Sequence, residues 1–257
     1  MTRTPRYSLA ERDAVEWLRT LPDASVDLLI TDPAYESLEK HRAIGTTTRL
    51  KKSKGSSNAW FQAIFHNVRF PELLQEVFRV MKADAHFYLF CDPETAFVVH
   101  RVNEELGRAL GRDGLFKFWK PLVFDKVRIG MGYHYRARYE FILFFEKGKR
   151  KLNDLGVADV ITHPRVIGGY PTEKPVAVSE VLIRQSSAPG ELVVDPFMGS
   201  GSVGVAAVNL GRDFCGCDIS SEAQTMADER LRAAGAEVMP LVLDELHSPK
   251  QLGLGIR

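Results

Sequence analysis

The stretch Glu191-Leu-Val-Val-Asp-Pro-Phe-Met-Gly-Ser-Gly-Ser-Val-Gly204 leaves its backbone few options. Leu192, Val193 and Val194 read as a short buried strand, and Asp195 closes that run with a carboxylate. Gly199 and Gly201 permit a sharp turn and a close backbone approach to a ligand, where a Cβ would collide. A helix opening near Ser200 or Ser202 then aims its unpaired N–H groups at whatever lies in the turn. Strand, glycine turn and helix together make a nucleotide-type binding loop.

The rest of the chain alternates in the same way. Asp13 to Leu21 has helical spacing of Val15, Leu18 and Leu21 and ends at Pro22. Val26 to Thr31 is a β-type run stopped by Asp32-Pro33-Ala34-Tyr35, and from about 36 to 58 the pattern dissolves. Between Lys40 and Lys54 that segment holds six Lys or Arg and no acid, which reads as a basic, mobile insertion. A helix follows over 71–81, a strand over 85–91 ended by Asp92-Pro93, and a helix over about 95–110. Aromatic strands at 116–124 and 139–145 flank a Gly-broken basic connection over 125–138, and 147–169 is irregular. Pro175 opens another helix to about Ser186. After the binding loop come a strand over 212–217 ending in Asp218, a helix from Ser220 or Ser221, a last strand over 237–243, and a tail from about Asp244. The alternation predicts an α/β fold, a doubly wound and mostly parallel sheet with four strands before the glycine loop, and no linker separating two cores.

Composition narrows the class of partner. The net charge is +1, so any basic surface for a polyanion must be local. Three cysteines fit a reducing compartment rather than a disulfide framework, and no run approaches about 18 apolar residues. The expectation is a cytoplasmic protein without a membrane segment or leader.

Gly199, Gly201 and Gly204 satisfy G-x-G-x-x-G after a strand, and Asp218 lies 19 residues past Gly199, where an acid would grip a ribose. Taken literally this is a dinucleotide site, and an NAD-binding oxidoreductase stays open on that ground. Asp195 points elsewhere: its charge is awkward for a pyrophosphate and favourable for a cationic amine. S-adenosylmethionine offers a ribose for Asp218, an amino group and sulfonium beside Asp195, and a carboxylate for the helix N-terminus.

Asp32-Pro33-Ala34-Tyr35 is compatible with ordinary turn chemistry, and also with handling an amine. An exocyclic amine of adenine or cytosine is a poor nucleophile because its lone pair is delocalised into the ring. A carboxylate and a backbone carbonyl that accept its two hydrogens favour a pyramidal, electron-richer nitrogen. Proline keeps that carbonyl aimed, and a following aromatic ring offers a face for an extruded base. None of the three cysteines follows a proline, which argues against attack on a cytosine ring carbon. If the Asp32 and Asp195 strands are neighbours, cofactor and acceptor share one crevice.

Five segments, in order, resemble the β-type amino-group DNA methyltransferases, in which the catalytic element precedes the cofactor loop in a circularly permuted arrangement. They are 21–35, 138–145, Pro171-Thr-Glu-Lys-Pro175, Val194 to Ser202, and Gly211 to Asp218. The resemblance implies a single Rossmann-like catalytic domain over 1–257, with S-adenosylmethionine as cofactor and no metal. It implies that Asp32 and the Pro33 carbonyl hold the target amine while Tyr35 stacks on the flipped base. Asp195, Phe197, Gly199, Ser200, Gly201 and Ser202 would line the methionine side, Asp218 would hold the ribose, Ile219 would cover the adenine, and Thr172 and Lys174 would close over the cofactor. Ala34 stands where the family usually has a second proline, which puts loop rigidity in question. Asp32 favours adenine N6 over cytosine N4. Double-stranded DNA would be contacted through 36–58 and 125–138, with a homodimer as one way to supply part of the contact. The setting would be DNA methylation of the restriction-modification kind, on nucleoid DNA, with no nuclease in the chain.

Overall fold

Val26–Thr31 is buried at every position, so a chain that folds around it must cover both faces of its sheet. The computed structural model describes residues 3–36, 64–130, 135–168, 170 and 172–239. In chain order these form β1 (Arg6–Glu11), α1 (Ala14–Thr20), β2 (Val26–Thr31), α2 (Phe70–Val80), β3 (Met81–Cys91) and α3 (Pro93–Ala109). They continue with β4 (Lys117–Asp125), β5 (Tyr139–Lys147), β6 (Val160–Thr162), α4 (Val176–Ser186), β7 (Leu192–Asp195), α5 (Ser202–Asn209), β8 (Asp213–Asp218), α6 (Ser221–Ala233) and β9 (Glu237–Val238). One sheet holds them in the order β6-β4-β5-β3-β2-β7-β8-β1-β9. β5 runs against β3 and β4, and every other pairing is parallel.

Alternation along the strands assigns the two faces. Leu29, Phe87, Leu89 and Phe145 pack with α1, α2 and α3 through Leu18, Leu73, Val77 and Val99. Leu28, Ile30, Tyr88 and Phe144 pack with α4, α5 and α6 through Leu182, Ala206 and Leu231. Each such buried aliphatic side chain contributes about 1.5–3 kcal/mol, so the two apolar layers are a large part of what holds the helices on the sheet. Asp27 pins the centre: Oδ1 takes Lys82 Nζ at 2.7 Å from β3, and Oδ2 accepts from Leu192 N at 3.0 Å at the start of β7.

The connections put the site at one edge of this centre. From β2 the chain crosses through α2 to β3 on one side, whereas from β7 it crosses through α5 to β8 on the other. β2 and β7 are hydrogen-bonded neighbours, Leu28 opposite Val193 and Leu29 opposite Val194. Their carboxyl ends therefore flank a switch point, where open α/β sheets bind ligands.

Several expectations are corrected. Among the described residues six strands, not four, precede the glycine loop, because β1 and the short β6 also join the sheet. β1 is half polar and gains its place by pairing along its length with β8, Tyr7 opposite Phe214 through Glu11 opposite Asp218, and at its start with β9. β3 begins four residues earlier than 85, at Met81. Within 36–58 only Glu36 is described, and 131–134, Pro171, the end of the last predicted strand and the tail from Asp244 lie outside the described residues.

Candidate active site

Asp195 ends β7 with only 2% of its surface exposed. Its Oδ1 accepts from Phe197 N at 3.0 Å and from Thr31 Oγ1 at 2.9 Å, so the last residue of β2 is tied directly to the last residue of β7. The Asp32 and Asp195 strand ends thus share one crevice. Burial pushes the Asp195 carboxyl up to about 8, against the two hydrogen bonds that favour its charged form.

The turn after Asp195 has the geometry the glycines permit. Gly199 and Gly201 have φ of 49° and 79°, left-handed values that a β-carbon resists. A Cβ on Gly201 would lie 2.9 Å from Ala227 Cβ on α6, and one on Gly199 would lie 3.2 Å from the Tyr170 ring. Gly204 serves packing instead, since a Cβ there would enter the Phe214 ring at 2.6 Å. Asp218 braces the turn from β8: Oδ2 accepts from Gly199 N and Oδ1 from Ser220 N, both at 2.9 Å. Burial raises this carboxyl too. Ile219, next along, is 59% exposed beside the turn, and Phe197 meets Phe65 edge to face at 5.1 Å.

Ser200 and Ser202 are buried beneath the turn rather than open to it. Arg230 Nη1 donates to Ser200 Oγ at 2.7 Å and to its carbonyl at 2.9 Å, while Arg230 Nη2 pairs with Glu173 Oε1 at 3.0 Å. Glu173 ties this network to the segment before α4, where its N–H donates to Tyr170 O at 3.0 Å. Thr172, between them, takes a φ of 59°, uncommon for a β-branched residue, and its side chain is exposed.

At the end of β2, Pro33 is buried and Asp32 and Tyr35 are half-buried. Tyr35 OH donates to Asp32 Oδ1 at 3.3 Å. Lys174 Nζ donates to Asp32 Oδ2 and also lies 3.1 Å from Glu140 Oε2 on β5. The position predicted to close over the cofactor is thus bonded to Asp32. Burial raises the Asp32 carboxyl and the Lys174 ammonium opposes that rise, while the two carboxylates raise Lys174 itself. Ala34 is braced without a second proline: its carbonyl accepts from Phe65 N at 2.8 Å, where Tyr35 and Phe65 form a parallel bridge.

The three thiols are buried and burial pushes each of them up, those of Cys215 and Cys217 to about 12, which disfavours the nucleophilic thiolate. Among the described residues no cluster of three or more His, Cys, Asp or Glu could hold a metal, and no helix is long and apolar enough to cross a membrane. The residues that motif reading did not single out are Thr31, Phe65, Glu140, Tyr170, Glu173 and Arg230. Glu140 carried a signal: a lone carboxylate heading the apolar run Phe141 to Phe145 needs a buried partner.

Similarity to known proteins agrees with this geometry. A family model described as DNA methylase matches residues 26–161 and 155–229. The type II methyltransferase M.HpaI of Haemophilus parainfluenzae is 27% identical over 245 residues, covering 85% of this chain and 72% of that protein. The DNA adenine methyltransferase YhdJ of Escherichia coli is 27% identical over 259 residues, covering 86% of this chain and 81% of that protein. A DNA modification methylase of Thermus thermophilus, TTHA0409, solved in complex with S-adenosyl-L-methionine, shares the fold with a TM-score of 0.64 at 20% identity, over 91% of this chain and 100% of that one. Family membership closes the oxidoreductase reading of the glycine spacing. The chain belongs to the DNA methylase family, the amino-group DNA methyltransferases its motif segments resemble.

Proposed function

We propose that the protein moves a methyl group from S-adenosylmethionine to adenine N6 of a flipped base in duplex DNA. The observation that carries this reading is the Thr31 Oγ1 to Asp195 Oδ1 hydrogen bond at 2.9 Å, which sets an amine-binding carboxylate beside a cofactor turn. The donor set suits the cofactor. Asp195 offers an amino group a free carboxyl oxygen, since its Oδ2 makes no hydrogen bond among the described residues, and a bound cation would draw this carboxyl toward its charged form. Asp218 has acceptor capacity left for ribose hydroxyls beyond its two backbone bonds. Gly199 and Gly201, with Phe197, Ser200 and Ser202, shape the turn, Ile219 offers an exposed apolar side chain for an adenine ring, and Thr172 borders the turn beside Tyr170. The bound cofactor supplies an electrophilic methyl group on its sulfonium.

The chain's own residues prepare the acceptor. Asp32 and the Pro33 carbonyl accept the two amine hydrogens, which localises the nitrogen lone pair toward the methyl group. Asp32 is then placed to take the proton that the nitrogen sheds, and Tyr35 stacks on the extruded base. No covalent enzyme intermediate is required. The reading extends to one catalytic domain over 1–257 and to phosphate contacts from 36–58 and from the 125–138 connection, where Arg128 and Arg136 are exposed. It also extends to a homodimer sharing the DNA contact.

Adenine is favoured by Asp32 in the first motif position and by the likeness to YhdJ. Duplex DNA incubated with methyl-labelled cofactor, digested and analysed by mass spectrometry, is expected to yield labelled N6-methyldeoxyadenosine with the native chain and none with Asp32→Ala. Labelled N4-methyldeoxycytidine would transfer the assignment to cytosine, and full transfer by Asp32→Ala would remove the mechanism.

A further inference from the structure

The charges around Asp32 form a row that amine binding alone does not require. Lys126 Nζ lies 3.2 Å from Glu140 Oε1, Glu140 Oε2 lies 3.1 Å from Lys174 Nζ, and Lys174 Nζ bonds Asp32 Oδ2. Cation and anion alternate from the end of β4, across β5, to the end of β2. The Lys174 side chain is 9% exposed, with the Phe90 ring centroid 5.5 Å from its ammonium. The other titratable groups facing Asp32 are Tyr35 on its own segment, Asp195 on β7, Glu140 on β5 and Cys91 at the end of β3, with Asp92 next to Tyr35 and Cys91. None of these is a cation. Among the described residues, Lys174 is the only cation bonded to Asp32.

Burial of an unpaired carboxylate favours its neutral form, and a neutral Asp32 would be a weaker acceptor for the amine hydrogen and could not take the proton that the nitrogen sheds. A single ammonium gripping it without restraint would instead compete with the target nitrogen. Resting on the reading of Asp32 as the amine-binding carboxylate, we propose that Lys174 and Glu140 are positioning residues for methyl transfer. Lys174 keeps the Asp32 carboxylate charged and aimed, and Glu140, anchored by Lys126, shares Lys174 so that Asp32 can exchange it for the substrate amine. The two residues therefore act on Asp32 with opposite signs. A purely structural role, or a lid over the cofactor, has no such sign.

The test compares native protein, Lys174→Met and Glu140→Gln. It reads single-turnover methyl transfer against pH, cofactor affinity by calorimetry, and the Asp32 carboxyl by carbon-13 NMR, assigned with Asp32→Asn. Lys174→Met is expected to move the acidic limb of transfer and the carboxyl titration to higher pH by about one unit or more, a tenfold loss at pH values below the new limb. Glu140→Gln is expected to move both to lower pH, and cofactor affinity stays within about threefold in each variant. Unmoved limbs, movement in the same direction, or loss of cofactor binding in Lys174→Met with unaltered transfer at saturation would overturn the proposal. Should Lys174→Met fail to fold, the direction of the Glu140→Gln shift decides. Should the native protein transfer no methyl group to any duplex, the proposed function fails, and the carboxyl titrations of native protein and Glu140→Gln still decide the pairing.

Discussion

Asp195 and Asp32 stand on adjacent strand ends, but they are held by different kinds of partner. Asp195 accepts from the amide of Phe197, two residues on, and Asp218 braces the same turn through the amides of Gly199 and Ser220. Backbone amides cannot swing away, so the Asp195 and Asp218 carboxylates are held in place once β7 and β8 pair. Asp32 is held by the ammonium of Lys174, 142 positions away, and by the hydroxyl of Tyr35. Long side chains can exchange partners, which suits a carboxylate that must give up one donor to receive another. Preorganisation on one side and exchangeability on the other fit a resident cofactor and a visiting base.

Asn cannot take up the charge that a bound cofactor amine would draw onto Asp195, and this loss should break the Asp195 half most severely. Asp195→Asn is expected to weaken cofactor binding by about 10–100-fold, the worth of a charge-assisted hydrogen bond, read by calorimetry. The same variant should fold more stably. The folded carboxyl titrates at about 8 against 3.8 ordinarily, so between those values the folded chain holds a proton that the unfolded chain has released. Stability of the native protein therefore falls as pH rises through that window, whereas Asp195→Asn lacks the slope and gains on the order of a few kcal/mol at pH 8 in urea unfolding. A native protein whose stability rises from pH 5 to 8 in proportion to that of the variant would contradict the buried-acid account.

A smaller effect tests the shape of the same half. Gly201→Ala adds a Cβ at a φ of 79° and 2.9 Å from Ala227 Cβ, and should cost about 1–3 kcal/mol of stability by denaturant unfolding, with weaker cofactor binding. Smaller still, Thr31→Val removes one of two donors to Asp195 and should cost about 1 kcal/mol, or roughly fivefold in cofactor affinity. Transfer that also slows at saturating cofactor would show that this bond couples the two halves. An unchanged rate would show that it only fixes the donor side.

The same contrast explains how much of the molecule is legible in its sequence. The donor loop is written in consecutive residues: an apolar run, an acid, two glycines and a helix start predict β7, the turn and α5 to within a residue or two. The central strand β2 is equally plain from its apolar run. β1 is not, because its residues Arg-Tyr-Ser-Leu-Ala-Glu acquire strand character from pairing with β8 and β9, more than 200 positions away. The Asp-Pro-Ala-Tyr segment can be located by resemblance, yet its environment cannot, since Glu140 and Lys174 reach it only after β5 and α4 dock on the sheet. Lys174, placed by motif order near the cofactor, lands on Asp32 for that reason.

On this account the Asp32 end of the crevice serves the acceptor and the glycine turn serves the donor. The most direct test of that division is one sample of Asp32→Asn protein, saturated with labelled S-adenosylmethionine, in which bound cofactor and methyl transferred to duplex DNA are both counted. Cofactor bound within about threefold of the native affinity, with transfer reduced by about 100-fold or more, is the expected result. Lost cofactor binding, or transfer at the native rate, would contradict the division of the crevice.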